Sequence, residues 1–283
     1  MAIQFAELIP VQSHEGDGTF SVQSVELSEL GSWTSPITLL HNFRVSGHPF
    51  GPHPHAGFSA VTCVFEDSKG SLRSRDSLGN DLVTGPGGIV WTQAGSGLIH
   101  EELPAKQGRE LHGLQIFVNL SSKNKLMAPQ VFRLEQSEVP EWRSDSGDRV
   151  RVLVGTFEGI SSPLVPADPF TLLEVYLQHK ISFSYQGGEN ALVYVLTGDV
   201  DVRADSRNRE VANNQALPIY GNGGLISLEA VRPAHFFLLS GAANDEPVHM
   251  HGPFIMNDPS QIEAAILRYN TGGMGYLTPL SDG

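Results

Sequence analysis

At 283 residues the chain is about twice the usual domain length of roughly 100–200 residues, and its 40% hydrophobic and 17% charged side chains suit a globular protein with two packed cores. A net charge of −13, from 18 basic and 31 acidic residues, would repel a phosphate backbone and excludes direct DNA or RNA binding as an expected function. The single cysteine, Cys63, excludes an intrachain disulfide and a cysteine-built metal site; with no signal-like N-terminal block and no membrane-length apolar run, the expected location is the cytoplasm.

In chain order the apolar runs are SAVTCVFE, GGIVWTQ, GLQIFVNL, RVRVLVGTF, TLLEVYLQ, ALVYVLTGDVDV, LISLEAV and HFFLLSG, each soon broken by Gly, Pro, Asn or Asp. This is the rhythm of an all-β sandwich or barrel, and turns such as Thr197-Gly198-Asp199 favour antiparallel pairing. The rhythm occurs twice, on either side of the polar stretch QSEVPEWRSDSGDR, so the expected domains are 1–145 and 146–283. One helix closes the second half. Asp258 is placed to cap it and Pro259 to open it, Ile262, Ala265, Ile266 and Tyr269 form an apolar stripe, and Gly272 and Gly273 end it.

His53-Pro54-His55 opens an extended run, and residues i and i+2 of a strand share a face, so both imidazoles can converge on one point. The segment GSGLIHEE repeats that spacing with His100 and Glu102. Three nitrogens and one carboxylate form an incomplete set for an octahedral metal, leaving positions for water, oxygen or a chelating substrate. Glu101 alternates away from that face and is expected in solvent. Phe58, Trp91, Gln115 and Phe117 are candidate pocket residues, and Cys63, by parity with His53 and His55 in an unbroken strand, is an inward-facing small hydrophobe. A second His-x-His, His249-Met-His251, has no paired H-x-E and is expected not to bind metal, while His179 and His235 stand without a carboxylate at strand spacing. Neither a Gly-x-Ser-x-Gly elbow nor a Walker-type phosphate loop occurs, so serine-hydrolase and nucleotide-binding chemistry have no support.

Gly47, five intervening residues and His53-x-His55 match the opening of the first cupin motif. The longer text HPHAGFSAVT, RDSLGND, IVWTQAGSGLIHEE, LHGLQIFVNL, ALVYVLTGDVDV, LLSGAANDEPV and GPFIMNDPSQIEAAILRYNTG resembles the pirin family of bicupins over most of the chain. The resemblance implies two antiparallel cupin barrels, a metal-binding one over 1–145 and a metal-free one over 146–283 with the closing helix. It implies His53, His55, His100 and Glu102 as ligands of one divalent metal, iron(II) by default, with nickel, manganese, copper, cobalt or zinc as alternatives. Some pirin-like proteins are quercetin 2,3-dioxygenases, so the expected activity is metal-dependent cleavage of quercetin or a related enolic aromatic with O2, with Glu102 also able to take the substrate proton. The alternative is a non-enzymatic, metal- or redox-responsive protein that binds a transcription factor or enzyme. Two departures stand out: Ser59 occupies the position of the usual cupin glutamate, and Ala56 and Ser59 replace the Arg and Glu of the pirin text HPHRGFE.

Overall fold

The computed structural model describes residues 2–16, 18–25 and 27–280, without the side chains of 28–30. It is built of strands, short 3-10 turns and one α-helix, Pro259–Asn270, near the C-terminus. Two compact units emerge, and they do not follow the halves of the sequence. One, the histidine unit, comprises Ser13–Ser24, Leu39–Gln136 and Asp245–Gly283; the other comprises Met1–Gln12, Val25–Thr38 and Ser137–Asn244. Relative to the boundary read at 145/146, the cut lies nine residues earlier, and both ends of the chain belong to the unit of the opposite half. Sequence rhythm finds strands but not which core their side chains join.

The histidine unit is a two-sheet sandwich. A sheet in the order Gln130–Leu134, Ile89–Gln93, Phe58–Val64, Leu111–Asn119, Ile37–Val45, Phe20–Val25 and Gln12–Glu15 accompanies a four-stranded sheet in the order His53–His55, Leu98–Pro104, Leu72–Asp76 and Asp81–Thr84. Phe58–Val64 is buried at all seven positions and is covered on both faces, whereas Leu72–Asp76 alternates buried with half-buried residues.

In the other unit a ten-stranded antiparallel sheet is centred on two long strands, Glu189–Ala204 and Gly224–Ala242, whose pairing shifts register near Thr197 and Asp199. Such irregularities bend a strand and let one long strand pair serve two sides of a core. Val150, Val152, Leu173, Val175, Phe236 and Leu238 belong to that core. His235, which has no carboxylate partner at strand spacing in the sequence, acquires one from the neighbouring strand: its Nε2 lies 3.0 Å from Glu174 Oε1, and its ring stacks on Tyr176 at 4.2 Å.

Residues 245–280 buttress the histidine unit. The helix begins as its text predicts, with the Asp258 carboxylate accepting from Ser260 N at 2.8 Å, and its Ile262 and Ala265 pack with Ala56, Ile99, Phe254, Met256 and Met274. The preceding segment joins the histidine turn through its backbone, Ile255 N donating to Ala56 O at 3.1 Å. Fully buried Lys125 donates from Nζ to Gly57 O, Asn119 Oδ1 and Ile255 O at 2.9, 2.5 and 3.1 Å. One ammonium thereby satisfies three buried acceptors. Lys125→Met, which keeps the stem and removes the donors, is expected to cost roughly 2–4 kcal/mol in urea unfolding, since each orphaned acceptor forfeits its solvation. A loss under about 0.5 kcal/mol would mean that water replaces the ammonium without penalty.

Candidate metal centre

The inner face of the four-stranded sheet gathers the histidines. His53 lies directly across from His100 in the antiparallel pair, and Leu98 lies across from His55, so His55 sits two residues along on the same face. The three ring centroids are 4.6–4.8 Å apart, and one nitrogen from each ring falls within 4.8 Å of the other two. His53 is half-buried; His55 and His100 are buried.

Hydrogen bonding orients His53, and burial prepares His55 and His100 as neutral donors. His53 Nδ1 donates to the Gly51 carbonyl at 2.9 Å, which leaves the lone pair on Nε2. Among the described residues neither nitrogen of His100 has a hydrogen-bond partner, and His55 has only a loose approach to the Pro253 carbonyl. Burial, and then the neighbouring His53, lower the His55 pKa to about 3; burial, and then His55 and His53, hold His100 well below the ordinary value. Buried nitrogens without partners and with free lone pairs suit a cation ligand, so the residues present fit a divalent metal.

Glu102 lines the same cavity but is not part of the three-histidine group. Its Oε2 accepts from Thr62 Oγ1 at 2.6 Å, and burial pushes its carboxyl up to about 7 against that hydrogen bond. Glu101 does alternate to the far face, yet it is not in solvent. It is 0% exposed, with Oε1 2.9 Å from His48 Nε2 and Oε2 accepting from Arg75 Nη1 at 2.6 Å, while Arg75 Nη2 donates to Thr278 O at 3.0 Å. The loop bearing His48 and the tail bearing Thr278 cover a face that strand parity alone assigns to water.

The cavity measures about 410 Å³, within the range of roughly 300–1,000 Å³ common for small-molecule sites. Its walls are mostly apolar, with Phe20, Val22, Leu39, Phe43, Leu111 and Phe117 among them, and Gln115 and His41 also line it. Phe58 is not at the cavity surface; it packs behind, 4.9 Å from the His55 ring and 4.4 Å from Phe117. Trp91 faces the other side of its sheet. It pairs with Val61, whereas Val90 and Thr92 share the face of Thr62 and Gln115. Cys63 is reversed for a related reason: Gly57, at φ +85°, interrupts the strand after His55, so Thr62 rather than Cys63 turns toward Glu102. His41 was missed from sequence, although its alternation with Leu39, Phe43 and Val45 on Ile37–Val45 carries the signal. His249 and His251 sit exposed on a two-stranded hairpin.

The Pirin family matches residues 21–118, and the Pirin C-terminal cupin domain matches residues 172–275. Mouse Pirin is 32% identical over 271 residues, covering 94% of this chain and 91% of its own. The chain belongs to the pirin family. As in other pirins the architecture is a bicupin, all-β with a short C-terminal helix. A crystal structure of quercetin 2,3-dioxygenase from Acinetobacter baumannii superposes with a TM-score of 0.85 at 25% identity, covering 98% of this chain and all of the other. The bacterial pirin YhhW of Escherichia coli, crystallised with nickel(II), shares the fold at 18% identity with a TM-score of 0.64, covering 85% of this pirin-family chain and 99% of its own.

Proposed function

We propose that this chain binds one divalent metal ion through His53, His55, His100 and Glu102 and acts as a dioxygenase on quercetin or a related enolic aromatic. The observation that carries the reading is the convergence of three imidazoles and one carboxylate on a largely apolar cavity of about 410 Å³. Iron(II) is the first candidate, and nickel, manganese, copper, cobalt or zinc are compatible, because imidazole and carboxylate do not select strongly among them. When bound, the ion would supply Lewis acidity toward an enolic hydroxyl and an electron path to O2.

The protein's own groups have separable tasks. The three imidazoles offer lone pairs without first losing a proton at His55 or His100, whose pKa values burial has lowered. Thr62 holds Glu102 Oε2, which leaves Oε1 for a cation or for a hydroxyl proton. The aromatic and aliphatic walls exclude water and orient a flat ring by its faces. A bacterial relative described as a quercetin 2,3-dioxygenase, at 25% identity over nearly the whole chain, supports the choice of substrate class.

Reconstituting the protein anaerobically with each metal in turn, then following quercetin decay and O2 uptake, tests the reading. Turnover that requires metal is expected. A fully metallated protein that leaves quercetin intact would overturn the activity. The carboxylate is tested separately by pH. Glu102 must be ionised to ligate, and its carboxyl titrates at about 7, so metal affinity is expected to fall by up to about tenfold per pH unit below neutrality. Calorimetric titrations at pH 8, 7 and 6 should show that slope in the native chain and a flatter one in Glu102→Gln. Identical slopes would remove Glu102 from the ligand set.

A further inference from the structure

An apolar cavity tolerates few polar side chains unless a ligand or water meets them. Beyond the three histidines and Glu102, two line this one: Gln115 on Leu111–Asn119 and His41 on the neighbouring strand Ile37–Val45. The Gln115 side chain makes no hydrogen bond among the described residues. Its location along the wall is set by register. Gln115 pairs directly with Thr62, which places their Cβ atoms about 4.5–5.5 Å apart on one face, and Thr62 Oγ1 is bonded to Glu102. The amide thus stands one strand away from the carboxylate end of the proposed centre. Phe117, two residues further along the same face, packs against His55 at 5.4 Å.

We infer that Gln115, with His41, is a hydrogen-bonding subsite that makes the cavity selective for planar aromatics carrying a further hydroxyl besides the adjacent enolic and keto oxygens presented to the histidines. The inference rests on the proposed dioxygenase reading and narrows its substrate class. A ligand that fills the cavity displaces solvent from the Gln115 amide. If that ligand is apolar along this wall, the amide is left unsolvated; if it carries a hydroxyl or carbonyl there, the hydrogen bond is replaced. Sites built to bond a substrate hydroxyl discriminate against analogues that lack it far better than apolar pockets discriminate by size. The amide both donates and accepts, so a phenolic hydroxyl is the matching group.

The test compares two probes sharing the 3-hydroxy-4-oxo unit, quercetin and 3-hydroxyflavone, of which only quercetin carries additional hydroxyls. Their dissociation constants are measured by absorbance and fluorescence titration, without O2, on the metal-loaded native chain and on Gln115→Leu and His41→Phe, with metal content determined for each. The native protein is expected to favour quercetin by about tenfold or more. Gln115→Leu should reduce that ratio at least threefold by weakening quercetin alone, with full metal content; His41→Phe should act in the same direction. An unchanged ratio, or equal weakening of both probes, overturns the subsite while leaving the dioxygenase reading standing. If neither probe binds the metallated native protein, the substrate reading falls and takes this inference with it.

Discussion

Replacing His53 and His55 together by alanine is expected to weaken binding of a divalent metal by more than about a hundredfold, because His100 and Glu102 alone cannot chelate strongly. Dialysed protein should retain close to one equivalent in the native chain and almost none in the double variant. His249→Ala/His251→Ala is the matched control. It removes the other His-x-His pair from an exposed hairpin, and metal content should not change. Retention of metal by the first variant, or its loss from the second, would move the centre away from the cavity. Since His55 packs on Phe58 and Phe117, a thermal melt must accompany the metal assay to separate ligand loss from core loss.

Gly57→Ala should be the most destabilising single methyl in the histidine turn. The backbone there has φ +85°, and an added Cβ would lie 1.8 Å from the Ile255 carbonyl oxygen. That carbonyl cannot retreat cheaply, because it accepts from the buried Lys125 ammonium. We expect a loss of at least about 3 kcal/mol, combining left-handed backbone strain with a clash against fixed main chain. Gly79→Ala separates the two contributions: its φ is +95°, but nothing lies within 4 Å of the added methyl, so only strain of about 1–2 kcal/mol remains. Urea midpoints for the two variants check this. Equal losses would show that the close approach of Ile255 contributes nothing.

The same glycine explains where sequence reading of the site stops. That His53, His55, His100 and Glu102 share one cavity was legible because each pair lies within one uninterrupted strand, where a two-residue period dictates the face. Cys63 was assigned to the wrong face because the pattern was carried across Gly57, where the backbone leaves the β region and parity resets; Trp91 was named for the pocket without a parity argument, and its pairing with Val61 turns it to the other side of the sheet. Glu101 was misjudged for a different reason. Alternation says which face a side chain takes, but not whether that face meets water, and here His48 and the stretch ending at Thr278 cover it. The closing helix had a readable cap, and of its stripe Ile262, Ala265 and Ile266 pack inward while Tyr269 stays exposed. Nothing local to it, however, told which barrel its Ile262 and Ala265 would meet, and they meet Ala56 and Ile99 beside the proposed ligands.

The exchange of chain ends between the two units has a consequence for how the protein is made. The strands bearing His53, His55 and His100 are translated more than a hundred residues before the segment from residue 245 onward that pairs with Ala56, accepts from Lys125 and supports Arg75. The histidine unit is therefore completed only after the strands 137–244 of the other unit have been made. Until then the histidine turn lacks its backing, and any metal captured would meet ligands not yet held in their mature geometry.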